Sequence, residues 1–179
     1  WVSNALAVLA AVDAAGGDLG LAGLALADMA GLPGRGQRFR AQVAGGDALV
    51  IDESYNANPA SMRATLAVLA LEDRRRIAVL GGMRELGADS AAYHADLAGP
   101  IDEAGISRAI LVGAEMLPLA QALEGRVDFV HVPDAAAAKA RLGDVLAPGD
   151  AVLIKGSNGI GLSAVVAALR KPALAGTGD

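Results

Sequence analysis

The sequence predicts an α/β protein, a doubly wound and mostly parallel sheet covered by helices, preceded by a short helical segment. Three observations carry this. Beyond residue 75, four short apolar runs alternate with stretches long enough to form amphipathic helices, the pattern of repeated βαβ units. The runs are continuously apolar rather than alternating, as strands buried on both faces must be. Hydrophobic residues make up 54% of the 179-residue chain and aromatics 3%, so there is apolar surface for a sizeable core, built from Ala, Val, Leu and Ile.

Taken in order, residues 3–15 and 19–30 read as two alanine-rich helices split by Gly16 and Gly17. The Gly- and Pro-rich stretch GLPGRGQ, residues 31–37, is the domain boundary. RFRAQVAG alternates like a strand, and a Gly-Asp turn leads into ALVID, so the two are expected to pair as a hairpin. Strands then follow at 76–82, 108–113, 127–132 and 150–156, with helices at 90–104, 114–124, 134–146 and 158–170. Right-handed crossovers turn this order into an open, doubly wound sheet. The tail KPALAGTGD is expected to fray.

Composition excludes several function classes. The net charge of −5 opposes a nucleic-acid surface, which needs a basic face. With no cysteine and only His94 and His131, thiolate and histidine-rich metal sites have no ligands. No window of about 18 uncharged apolar residues occurs, so no transmembrane helix is expected. The apolar amino end has no basic flank and is interrupted by Asp13, which does not fit a secretion signal. The chain has no initiating Met and starts within a helical pattern, so it reads as part of a longer, cytoplasmic polypeptide.

Ligands of open parallel sheets bind beyond the carboxyl ends of the strands. Three strand ends here carry unusual sequence, DESYNANP, GGMRELG and KGSNGIG, and should share one edge. Asp52 and Glu53 are placed to accept hydrogen bonds from two ribose hydroxyls. Tyr55 offers a ring on which a base can stack. Asn58 before Pro59 fits a helix N-cap, and Asn56 can serve the same turn. In KGSN, Lys155 and the free amides of a helix beginning at Ser157 and Asn158 suit a carboxylate or phosphate; an ordinary capped turn with a solvated lysine is the other reading. Arg84 and Glu85 read as surface charges, and His94 as a half-buried packing residue. None of the three lysines follows a glycine, so the chain has no P-loop.

With these motifs the chain resembles the Mur ligase family. DESYNANPASM is similar to an Asp-Asp-Ser-Tyr-Asn-Ala-Asn-Pro-x-Ser-Met signature of members that add D-alanyl-D-alanine. VLGGMRELG is similar to Val-Leu-Gly-Asp-Met-x-Glu-Leu-Gly, and LIKGSNGIGL to a Leu-Val-Lys-Gly-Ser motif. WVSNALA and GQRFR resemble the family's Asn-x-x-Asn-Ala helix and Gly-Arg segment. Three positions depart from the pattern: Glu53 and Gly82 stand where aspartates are usual, and Trp1 where asparagine is.

The resemblance implies an ATP-dependent amide ligase using ATP and Mg2+, held mainly by a central domain. Residues 1–34 would be the last helices of that domain, and 35–179 a Rossmann-like domain for the amino substrate. The substrates implied are D-alanyl-D-alanine and UDP-N-acetylmuramoyl-tripeptide, in a monomeric enzyme of the bacterial cytoplasm. The nucleotide-binding set is then Asn4, Arg38, Glu53, Tyr55 and Asn56; the amino-substrate set is Asn58, Lys155, Ser157 and Asn158; no metal ligand is expected. The chain alone should be inactive for want of a P-loop. A related ligase with another amino substrate, or a non-catalytic α/β binding module, are the competing readings.

Overall fold

The computed structural model describes residues 2–29 and 32–170; the expectations for Trp1 and for the tail lie outside them. The chain divides into two compact units, 1–31 and 32–179. The first holds helices α1 (Val2–Ala14) and α2 (Leu19–Asp28). Asp18 caps α2, its carboxylate accepting from the N–H groups of Gly20 and Leu21 at 2.7 and 3.0 Å. No residue of α2 is buried, and Leu6, Leu21 and Leu24 are exposed.

The second unit is a six-stranded sheet in the order β1-β2-β6-β3-β4-β5. The strands are β1 (Gln37–Val43), β2 (Gly46–Glu53), β3 (Arg76–Gly81), β4 (Arg108–Val112), β5 (Phe129–Val132) and β6 (Ala151–Lys155). Only the β1–β2 hairpin is antiparallel. The expected fold class is therefore the one observed. Side-chain alternation sorts the core into two layers. On one face Leu49, Ile51, Leu80, Leu111 and Leu153 pack against α3 (Pro59–Ala70), α5 (Ala98–Glu103) and α6 (Leu117–Leu123). On the other, Val50, Val79, Ile110, Val152 and Ile154 meet α7 (Ala135–Val145) and α8 (Ser163–Arg170). The chain advances from β3 to β5 with helices on the first face. It then returns to seat β6 between β2 and β3, which puts α7 on the second face, as the right-handed crossover rule requires.

Three expected helices are shorter than the pattern suggested. The 90–104 helix is two, α4 (Ser90–Ala95) and α5, because Pro100 has no N–H for the carbonyl of Asp96. Pro118 likewise leaves 114–116 as a 3-10 turn before α6. The third, after β6, bears on the site.

Candidate functional site

β2, β6 and β3 are adjacent and parallel, so their carboxyl ends bring DESYNANP, KGSNGIG and GGMRELG to one rim. The loops also touch. A Cβ on Gly156 would lie 3.0 Å from the Cα of Gly81, so the ends of β3 and β6 converge only because both residues are glycine. Across that contact the Ser157 N–H donates to Gly82 O (3.2 Å), and the Arg84 N–H donates to Ser157 Oγ (3.0 Å).

Asp52 and Glu53, expected to act together on a ribose, are separated. Consecutive strand residues face opposite sides, so Asp52 joins the α8 face and Glu53 the α3 face. The Asp52 carboxylate is buried and already satisfied: it accepts from Gly34 N (3.0 Å), Ser54 N (3.2 Å) and Ser54 Oγ (2.7 Å), with Arg170 at 3.4 Å. It fastens the loop ahead of β1 to the loop after β2. Beside it opens a cleft of about 290 Å³ lined by Pro33, Ser54, Tyr55, Asn158, Ser163 and Arg170, among others. Tyr55 is exposed, and Arg35 covers one face of its ring, 4.3 Å from the centroid.

Glu53 instead meets Lys155. The two are paired in register across β2 and β6, with Nζ 3.7 Å from Glu53 Oε2. That distance makes the contact electrostatic rather than a direct hydrogen bond. Lys155 is 1% exposed, and its ammonium donates to Asn56 O at 2.8 Å. Burial pushes Lys155 below the usual lysine range, with Glu53 opposing. Burial likewise raises Glu53, the Lys155 charge opposing and Asp52 adding to the rise. Two residues assigned to different ligands are thus one ion pair, and Lys155 is not an open cation.

Two further expectations are corrected. No helix begins at Asn158: a 3-10 turn spans Asn158–Ile160, Gly161 takes a left-handed φ of 80°, and α8 starts only at Ser163. The Ser157 amide is bonded to Gly82 O, while the amides of Asn158 and Gly159 have no protein acceptor among the described residues. His94 is fully buried rather than half-buried, and is more than packing: Nε2 accepts from Met83 N (2.9 Å) and Nδ1 lies 2.7 Å from Ser90 O, which fixes the Nδ1–H tautomer.

Of the remaining candidates, Asn58 forms a capping box with Ser61, its Oδ1 accepting from Ser61 N at 2.8 Å. Asn56 Oδ1 accepts from Ala57 N at 2.9 Å. Arg38, on β1, is ion-paired with Glu72 beyond the end of α3. Asn4 is exposed on α1. The described residues contain no group of three or more His, Cys, Asp or Glu placed to hold a metal ion. They contain no helix long and apolar enough to cross a membrane.

This architecture is an α/β domain whose parallel strands end at one shared rim of loops. Residues 34–158 match the family described as Mur ligase, glutamate ligase domain, and the chain belongs to that family. It is 36% identical over 172 residues to the UDP-N-acetylmuramoyl-tripeptide–D-alanyl-D-alanine ligase of Escherichia coli, covering 95% of this chain and 37% of that protein. The ligase of the same name from Mycobacterium bovis is 40% identical over 157 residues, covering 74% and 31%. The crystal structure of MurF from Acinetobacter baumannii superposes with a TM-score of 0.81 at 27% identity, covering 93% of this chain and 36% of that one. The chain thus spans about a third of the length of these relatives.

Proposed function

We propose that this chain is the amino-substrate-binding part of an ATP-dependent ligase that joins D-alanyl-D-alanine to UDP-N-acetylmuramoyl-tripeptide in bacterial peptidoglycan synthesis. The names of its relatives support the reading. The observation that carries it is the rim: the three loops that resemble the ligase motifs come to one edge and are hydrogen-bonded to one another. In the proposed reaction ATP phosphorylates the tripeptide carboxylate, the amine of the dipeptide attacks the acyl phosphate, and phosphate leaves. The chain has no P-loop, so phosphate-gripping groups and Mg2+ ligands must come from elsewhere in a longer polypeptide.

Within this scheme the residues of the chain bind and position. The cleft beside Tyr55 offers an aromatic edge and the Ser54 and Asn158 side chains to a nucleoside. Lys155 and Glu53 tie the SYNANP loop to β6. The Ser157 hydroxyl accepts from Arg84 N–H and keeps its own proton for a ligand oxygen.

The test is phosphate release by the full-length protein supplied with ATP, Mg2+ and UDP-N-acetylmuramoyl-tripeptide. D-alanyl-D-alanine should support release, and free diaminopimelate or D-glutamate should not. Release with one of the latter alone would assign a different amino substrate. Release with none would favour a binding module. Residues 1–179 alone should release no phosphate.

A further inference from the structure

We infer that His94 is a positioning residue that works as a proton-sensitive latch, its imidazole holding the loop after β3 through one hydrogen bond that protonation removes. The latch stands on geometry alone, and its effect on turnover rests on the ligase reading above.

Three successive amides of this loop are bound by three different elements. The Gly82 N–H donates to Val112 O at 3.2 Å, the Met83 N–H to His94 Nε2 at 2.9 Å and the Arg84 N–H to Ser157 Oγ at 3.0 Å. The first acceptor ends β4, the second lies on α4 and the third follows β6. A carbonyl and a hydroxyl keep their lone pairs near neutral pH, so only the middle acceptor can be lost to a proton. Met83 is 1% exposed, and water cannot replace His94 there without opening the core. Two residues on, Glu85 holds a left-handed φ of 63°. A residue with a Cβ keeps that conformation only while its surroundings impose it, so the loop relaxes when one of its bonds is removed.

The far side of the ring sets the acceptor. His94 is fully buried, with Nδ1 2.7 Å from Ser90 O and 3.4 Å from Ser90 Oγ. The Ser90 carbonyl has no proton to give, so Nδ1 carries the hydrogen and Nε2 the lone pair. A proton on Nε2 would turn the acceptor into a donor facing the Met83 N–H, and both groups would be left buried without partners. No counter-charge meets the imidazolium. The titratable groups on α4 and on what packs against it are Asp89, Tyr93 and Asp96, Arg84 and Glu85 in the loop, and Glu115 in the 3-10 turn after β4. All six are exposed, and among the described residues none is bonded to the ring. Helix α6, which also packs against α4, has no charged side chain.

A packing role would need only the volume of the ring. Here the two nitrogens have separate tasks, and two amide side chains divide them. Asparagine at 94 places its amide where Nδ1 is, able to donate to Ser90 O, and has nothing at the Nε2 position. Glutamine reaches the Nε2 position with an oxygen that accepts from Met83 N–H and does not titrate. Both leave some of the ring volume empty, so packing alone predicts that they behave alike.

The experiment is amide hydrogen exchange of the full-length protein, read by mass spectrometry as protection relative to the unfolded chain. It is run at about pH 8 and about pH 5, the ends of the window in which histidine changes charge. The segment 81–86 of wild type should lose protection on the order of 10-fold at the acid end, as for one buried hydrogen bond, while β4 keeps its own. His94→Gln should be protected at both pH values, and His94→Asn at neither. Equal protection of wild type at both pH values, or equal loss in the two variants, overturns the latch. Should both variants unfold, wild type labelled with [15N]histidine decides: His94 should change from Nδ1–H to imidazolium as protection falls, and a ring still neutral in the opened loop overturns the latch. For turnover, the acid fall in kcat/KM for D-alanyl-D-alanine, followed by phosphate release, should be shallower in His94→Gln than in wild type. Identical falls overturn the role in the reaction. If no amine supports release, the ligase reading fails, and the exchange data still decide the latch.

Discussion

A buried charge stands at each end of β6, and the two are held in opposite ways. Asp150, just before the strand, accepts from Arg75 Nε at 2.8 Å and Nη2 at 2.6 Å, and from Ala147 N at 2.7 Å. Burial pushes its carboxyl up, but the Arg75 and Ala147 hydrogen bonds and the Arg75 charge outweigh this and hold it below the usual carboxylate range. Lys155, the last residue of the strand, has one hydrogen bond and a looser partner. There burial wins, and both Lys155 and Glu53 are moved toward neutrality. The first pair fastens the sheet. The second is a loosely held pair under the strand-end rim, where its cost is offset by the packing around it.

Removing one member of the loose pair should have the largest effect. Glu53→Gln leaves the Lys155 ammonium buried with only Asn56 O, and should cost about 3 kcal/mol at neutral pH in urea unfolding. Adding Lys155→Met should recover most of that, since an apolar replacement carries no uncompensated charge. A double variant as unstable as the single one would show that the pair is not the cause.

Next comes the tight pair. Asp150→Asn should cost about 2 kcal/mol at pH 7. Because the folded-state pKa of Asp150 lies below 3.8, its contribution is full above that value and is lost as pH falls through the folded value. Wild type and Asp150→Asn should therefore converge in strong acid; a gap that persists at pH 2 would assign the loss to packing.

The smallest effect separates the two ends by sign. Lys155 is depressed below 10.5, so its burial penalty is complete below the folded pKa and is relieved as pH rises toward 10.5. Glu53 is raised above 4.5, so its contribution is full below that value and is lost as pH rises through the folded one. A shallow gain in wild-type stability on the alkaline side should be absent from Lys155→Met. An identical alkaline slope in both would show that Lys155 is not titrating there.

These pairs also mark how far the sequence could be read. Continuous apolar runs located β3, β4 and β6, the run VDFVHV, interrupted by Asp128 and His131, located β5, and the turn residues gave the β1–β2 hairpin. Period-two alternation already implied that Asp52 and Glu53 face opposite sides, but their neighbours depend on strand order. Lys155 is buried because β6 enters between β2 and β3, a long-range event that no local pattern announces. His94 looked like packing because its partner is a backbone amide, and any residue at position 83 but proline would supply one. Pro100 and Pro118, by contrast, were visible signals for the broken helices.

The late arrival of β6 has a consequence for synthesis. The ribosome makes β2 and β3 long before the strand that lies between them. Until residues 151–155 emerge, the two cannot pair through their intended neighbour, and each presents an open, apolar edge. The middle of the sheet is therefore closed by one of its most distant segments, a topology that slows folding and prolongs exposure to aggregation. The same insertion delivers Lys155 and Ser157 to the rim, so the strand-end rim and the sheet are completed together.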